Sequence, residues 1–149
     1  MDDPYELGRF ICAQRAVYAR VCAELAGGLK RSHWMWFIFP QLRGLGSSPT
    51  AERFGIASLE EARAYLAHPL LGERLRECSA LVNALQGASA QSIFGYPDDL
   101  KFRSCMTLFA RAANAHALEG RAAADPFSEA LMKYYAGESD PLTLELLGR

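Results

Sequence analysis

The chain has little of what metal sites, disulfide frameworks and nucleotide cradles are built from. Its four cysteines, Cys12, Cys22, Cys78 and Cys105, are widely separated and form no CxxC pair, whereas zinc sites and stapled folds use paired spacings. Each falls in an apolar pattern of helical period, where a thiol behaves as a small hydrophobe. The three histidines, His33, His68 and His116, lie far apart in the sequence, so no metal is expected. HExxH, GxGxxG and GxxxxGK[ST] are all missing, which removes the usual zinc-protease, dinucleotide and P-loop chemistries and leaves no cofactor to predict.

Other absences bound the class. No Asn-Gly or Asp-Gly hairpin occurs and β-branched residues are scarce, so strands are not expected. The longest aromatic-aliphatic run, Trp34 to Phe39, has six residues, against the ~20 needed to cross a bilayer. The start, MDDPYELG, is acidic and has no apolar run. No signal peptide is therefore expected, and a reduced cytoplasm is the expected address. Sixteen basic residues stand against 17 acidic, a net charge of −1. No global field draws the molecule to nucleic acid or to anionic lipid, and neither partner is expected. What is present is an apolar half and 22% charge over 149 residues, the composition and length of one folded domain. No repeat or linker divides it, so residues 1–149 are expected to form a single domain.

The prolines supply the fold class. Asp3-Pro4, Ser48-Pro49, Asp125-Pro126 and Asp140-Pro141 each set a capping side chain before a proline, the favoured start of a helix. SLEE at Ser58–Glu61 adds the pattern of a capping box. Helices are expected from about Pro4 to Ala26, from Leu59 to about Ala67 and from Pro69 to about Gln86. Three more follow, from Asp99 to about Ala115, over Pro126–Ala136 and over Pro141–Leu147, with a helical piece on the aromatic run and a loop at RGLGSSP. The long helix after GYPDD turns Phe102, Cys105, Met106, Phe109 and Ala113 to one side. The expected architecture is all-α, a compact domain of about six to eight helices packed round a central aromatic helix.

The aromatic run is apolar on every face, helical or extended, and must be enclosed by protein. Met35, Phe37, Ile38 and Phe39 are expected in the core. Trp34 and Trp36 are set apart, because each indole N–H wants a partner and either ring could line a pocket. Before the run come Lys30, Arg31 and His33. With Ser32 as the cap, these cations sit at the positive end of a helix dipole, which is unfavourable by ~0.3–1 kcal/mol per charge. The same place, with unpaired N–H groups, suits an anion. The plainer account is that Lys30 and Arg31 point into water. A second such place is GYPDDLKFRSCM. There Asp98 or Asp99 caps the long helix, Asp99 pairs with Arg103 at i,i+4 spacing, and Lys101 sits in the first turn with Ser104 a turn later. Tyr96, held before Pro97, keeps its ring in one direction.

The stretches KRSHWMWFIFPQLRGLG, ASLEEARAYLAHPLLGERLREC and IFGYPDDLKFRSCMTLF resemble a bacterial family, domain of unknown function 1810, whose members are often mislabelled calpastatin. That inhibitor class is disordered, and this composition is not. The likeness runs from the first helix through about Phe109, and the segment LEGRAAADPF looks less typical. The resemblance implies a mainly helical single domain and brings no activity, substrate or catalytic residue. Its motifs fall on the two places where cations meet helix entries.

Two functions of different class remain. One is a small anionic, phosphorylated or nucleotide-like ligand, either held or held and turned over between the two segments. Its expected contacts are Lys30, Ser32, His33, Trp34, Trp36 and Gln41 from the first, with Tyr96, Asp98, Asp99, Lys101, Arg103 and Ser104 from the second. His33 or Asp99 would move protons, and Lys101 and Arg103 would hold charge. A Cys105–His33 nucleophile is disfavoured, since Cys105 lies on the core face. The alternative is a non-catalytic interaction or homo-oligomerisation module that exposes part of the aromatic run.

Overall fold

Proline and capping side chains start the helices at most of the expected places. The computed structural model describes residues 3–114 and 125–148. Among these it contains ten helices and no strand. Ser48, Asp125 and Asp140 each accept from the backbone N–H three residues on, with proline at the first helical position. They open α4 (Pro49–Phe54), α9 (Pro126–Tyr135) and α10 (Pro141–Leu147). Asp3 behaves differently. Its carboxylate accepts from Leu7 N and Gly8 N at 2.8 and 2.9 Å, so the chain first turns through Glu6 at φ 53° and helix begins only at Gly8.

The single first helix expected from Pro4 to Ala26 is two helices, α1 (Gly8–Arg15) and α2 (Tyr18–Ala26). The break at Val17 lets α1 pack on α3 (Met35–Ile38) while α2 packs on α6 (Leu71–Ala84), two directions that one straight rod does not serve. In α5 (Leu59–Ala67) Ser58 caps Glu61 N as expected. The return bond of a capping box is not made, because the Glu61 carboxylate accepts instead from Ala57 N and from Arg9. The helix expected from Pro69 starts at Leu71, after the His68 imidazole takes up the N–H groups of Leu70 and Leu71. A short helix the pattern did not announce, α7 (Ala90–Phe94), is opened by a Ser89/Ser92 capping box in which serine replaces the usual glutamate. These additions bring the count to ten rather than six to eight. The less typical segment LEGRAAADPF, the helix end at Ala115 and His116 fall largely outside the described residues.

The longest helix, α8 (Asp98–Asn114), packs against α5, α7, α9 and α10, and its Phe102, Cys105, Met106 and Phe109 are fully buried. The central place expected for the aromatic run is therefore α8's, while the run itself is a single turn that docks onto it. Phe39 meets Phe102 edge-on at 5.0 Å and Phe94 edge-on at 5.9 Å, and Phe94 stacks on Phe102 at 4.6 Å. Trp34, Met35, Ile38 and Phe39 lie in the core, whereas Trp36 and Phe37 stay half-buried. Tying the layers together is Gln14, a buried amide on α1 that donates to Phe37 O and to the Tyr65 hydroxyl and accepts from Arg74. It is satisfied as a buried polar group should be.

Candidate functional site

The anion that the first basic segment calls for is supplied by the protein. Glu24, in the last turn of α2, accepts from Arg31 N at 2.7 Å, Ser32 N at 3.1 Å, Trp34 Nε1 at 2.9 Å and the Ser32 hydroxyl. Burial pushes this carboxyl up, but the bonds from Ser32, Arg31 and Trp34 outweigh it and hold the group at about 2. Ser32 therefore does not cap the aromatic turn; its donors are committed to Glu24, and Trp34 stands at the cap position without a side-chain bond. The sequence held one signal for this partner. A carboxylate at the C-terminal end of a helix offends the dipole just as cations at an N-terminal end do, and the two offences lie across the Gly27-Gly28 turn from each other.

The second segment resolves its cations in another way. Asp98 opens α8, and its two oxygens hold two ammonium groups, Lys30 at 2.9 Å and Lys101 at 3.1 Å. Side-chain exposures of 8% for Lys30, 17% for Asp98 and 23% for Lys101 place the triad partly out of water. Burial acts upward on the Asp98 carboxyl, yet hydrogen bonds and charge from both lysines hold it below its ordinary range. The Lys101 ammonium rests over the Trp36 ring at 4.3 Å and that of Lys30 over Trp34 at 5.2 Å. Trp36 is seated by glycine: a Cβ on Gly46 would stand 3.2 Å from Trp36 Cη2 and 2.9 Å from Ala51 Cβ. The first-turn amides of α8 are not open to an anion, since Asp99, Leu100 and Lys101 donate to the carbonyls of Gly95 and Pro97.

These groups border a cleft of about 410 Å³ lined by Lys30, His33, Met35, Trp36, Phe37, Thr50, Asp98 and Lys101. His33 is exposed there. Of the expected contacts, Lys30, His33, Trp36, Asp98 and Lys101 thus come together. Trp34 lies beneath them, buried and bonded to Glu24. The others go elsewhere. The expected Asp99–Arg103 pair does not form, because Arg103 reaches across Tyr135 to the chain beyond α9. Its guanidinium donates to the carbonyls of Glu138 and Ser139 and stands 3.7 Å from the Glu138 carboxylate. Ser104 bonds Leu100 O and the Asp140 carboxylate. Asp99 faces Tyr135, whose hydroxyl donates to its carbonyl, and its Oδ1 is buried without a partner. Gln41 is buried, with its carbonyl bonded to Ile56 N, and Tyr96 is 75% exposed after all, beside a cis bond to Pro97. Cys105 is fully buried and its thiol is pushed well up by that burial, so it is no nucleophile. Thr50 and the lining role of Met35 and Phe37 were missed, because Thr50 reads as part of an ordinary helix start and Met35 and Phe37 read as core.

A family model described as "Protein of unknown function (DUF1810)" matches residues 4–147. The chain belongs to this family. The match reaches the C-terminal helices as well as the motif-bearing part. The crystal structure of the conserved hypothetical protein Rv1873 from Mycobacterium tuberculosis is 57% identical, covers 99% of both chains and superposes with a TM-score of 0.91. Among curated proteins, none matches this DUF1810 chain. Two coarser points hold for the described residues: none of its helices is long and apolar enough to cross a membrane, and no cluster of three metal-binding side chains is found.

The cleft's chemistry follows from its donors. Two ammonium groups and one carboxylate leave one positive charge unmatched within the triad. Each ammonium has three N–H donors, and one of each is directed to Asp98. The apolar part of the lining is an indole, a phenyl ring and a thioether, from Trp36, Phe37 and Met35. In a recess the charges on these groups are less screened from one another than in open water.

Proposed function

We propose that the cleft between the Lys30–Gln41 and Tyr96–Ser104 segments binds a small anionic ligand. The observation that supports it is the charge imbalance: Lys30 and Lys101 share the single carboxylate of Asp98 beside a half-buried tryptophan. Of the two expected ligand classes, a phosphorylated compound suits the cleft better than a stacked base. The Lys101 ammonium already covers a face of Trp36, and the Trp34 indole N–H is engaged by Glu24. Of the two proton-transfer candidates, only His33 lines the cleft. Burial of Trp34, Met35, Ile38 and Phe39 removes most of the aromatic run from the surface on which an interaction or homo-oligomerisation module would rely.

The test is a thermal-shift and tryptophan-fluorescence titration with inorganic phosphate, phenyl phosphate, sugar phosphates and adenosine monophosphate. A ligand at a hundred times its Kd stabilises by about 2.7 kcal/mol. Binding is expected to be lost in Lys101→Ala and kept in Arg103→Ala. A flat response to every anion, or equal loss in both variants, rejects the cleft as the site.

A further inference from the structure

Away from the cleft, α2 and α6 enclose a polar cluster that the ligand site does not use. Tyr18 and Cys22 lie one turn apart on α2, and Glu77 and Cys78 are neighbours on α6. The Tyr18 hydroxyl donates to Glu77 Oε1, the Cys22 thiol donates to the same oxygen at 3.7 Å, and the Cys78 thiol donates to the Tyr18 oxygen at 3.8 Å. Both thiols are thus bonded into the same Tyr18–Glu77 pair, at the seam where α2 packs on α6. Cys22 is partly exposed, while Cys78 is buried. The other cysteines have no part in this cluster: Cys12 is exposed and Cys105 is enclosed by core.

We infer that Cys22 and Cys78 form an oxidisable pair that closes into a disulfide between α2 and α6 when the protein meets a hydroperoxide. Cys22 reacts first, because it is the sulfur that solvent reaches. Glu77 accepts the Cys22 proton along their existing contact. The thiolate attacks one peroxide oxygen, the O–O bond breaks, and the departing hydroxide takes up a proton to leave as water. The product is a sulfenic acid on Cys22. Cys78 then attacks that sulfur; the S–OH bond breaks, the hydroxyl leaves as a second water with the Cys78 proton, and the S–S bond forms. Two thiols lose two electrons and one hydrogen peroxide becomes two waters. Burial pushes both thiols up, Cys78 to about 12, so the pair rests as thiols and oxidises slowly. A bridge needs the helices to bring the sulfurs to about 2.05 Å, and both sulfurs already bond the one Tyr18–Glu77 pair between α2 and α6.

The test uses the full chain carrying Cys12→Ser, which silences the exposed thiol. It is treated with hydrogen peroxide, quenched by alkylation and read by intact mass and non-reducing peptide mapping. The expected product is a monomer lighter by about 2 Da, with the Cys22 and Cys78 peptides joined and Cys105 alkylated only after unfolding. Adding Glu77→Gln slows closure at least about tenfold. Cys22→Ser abolishes it, and circular dichroism verifies that each variant is folded. Oxygen added to Cys22 with no cross-link overturns the inference, as does a bridge formed only in denaturant or only between molecules. The reduced protein's own product decides the matter even where a variant fails to fold.

Discussion

Glu24 accepts from four neutral donors, two backbone amides, a hydroxyl and an indole, whereas Asp98 accepts from two ammonium groups. Both carboxylates answer a basic segment at a helix entry. Glu24 takes up the donors of the turn from Arg31 to Trp34, leaving the Arg31 side chain in solvent, while Lys30 of the same segment goes to Asp98. Asp98 leaves its segment with more cation than anion, and does so on the wall of a cleft. A broken dipole rule in a sequence therefore marks where a counter-charge must arrive. Whether the chain or a ligand brings it depends on counting the charges once the partners are known.

The comparison is broken most severely at Glu24. Glu24→Ala leaves the buried Trp34 N–H and the amides of Arg31 and Ser32 without their acceptor, which costs about 3 kcal/mol at the strength of hydrogen bonds to a charged group. At ~2–4 °C per kcal/mol for a chain of this size, the melting midpoint falls by roughly 6–12 °C. A loss under 2 °C in calorimetry would mean that solvent replaces the carboxylate and that the segment is not fixed by it.

Acid sharpens the same contrast. The Glu24 carboxyl is held at about 2 against an ordinary 4.5. A depressed folded value means stability that is present above pH 4.5 and lost as pH falls toward 2. The gap in stability between the wild type and Glu24→Gln is expected to be widest above pH 5 and to narrow through pH 4 and 3. Denaturant titrations at each pH measure it, and a gap that widens on acidification contradicts the assignment.

Less of this was legible in the sequence than the fold was. The Asp-Pro and Ser-Pro starts at Ser48, Asp125 and Asp140 are local devices, complete within four residues, and they were readable for that reason. So was the inward face of α8, because Phe102, Cys105, Met106 and Phe109 follow one period. The break at Val17 was not, since it is imposed by what α1 and α2 pack against rather than by a proline or glycine. Arg103 was misplaced for a related reason: its i,i+4 spacing from Asp99 is real, but two carbonyls beyond α9 take its guanidinium donors. Lys30, His33, Trp36, Asp98 and Lys101 were legible as a group because two sequence-distant stretches each broke the same electrostatic rule.

At Asp98 the expected loss is smaller than at Glu24. Asp98→Asn keeps the side chain's shape but leaves two ammonium groups close together without a counter-charge. Full burial would make that cost several kcal/mol; partial exposure of the triad reduces it to about 2 kcal/mol. Because the repulsion is between charges, added salt is expected to restore part of the loss. Urea melts at low and high ionic strength check this, and a salt-independent deficit would assign the role of Asp98 to shape rather than charge.

The smallest effect on stability is expected at Lys101, and it separates the two regions most clearly. Lys101→Met removes an ion pair and a cation held over Trp36, contacts worth about 0.5–1 kcal/mol each when partly exposed. It also removes the surplus positive charge, leaving Lys30 and Asp98 matched one to one, and sets an apolar side chain on the indole. These changes oppose each other, so the net shift is expected to stay within about 0.5 kcal/mol. No corresponding substitution exists around Glu24, where every donor is needed by the carboxylate. A shift that small in denaturation assigns Lys101 no part in holding the fold. If denaturation instead shows Lys101→Met to cost about 2 kcal/mol or more, the surplus charge is structural, and the contrast between a closed and an open helix entry disappears.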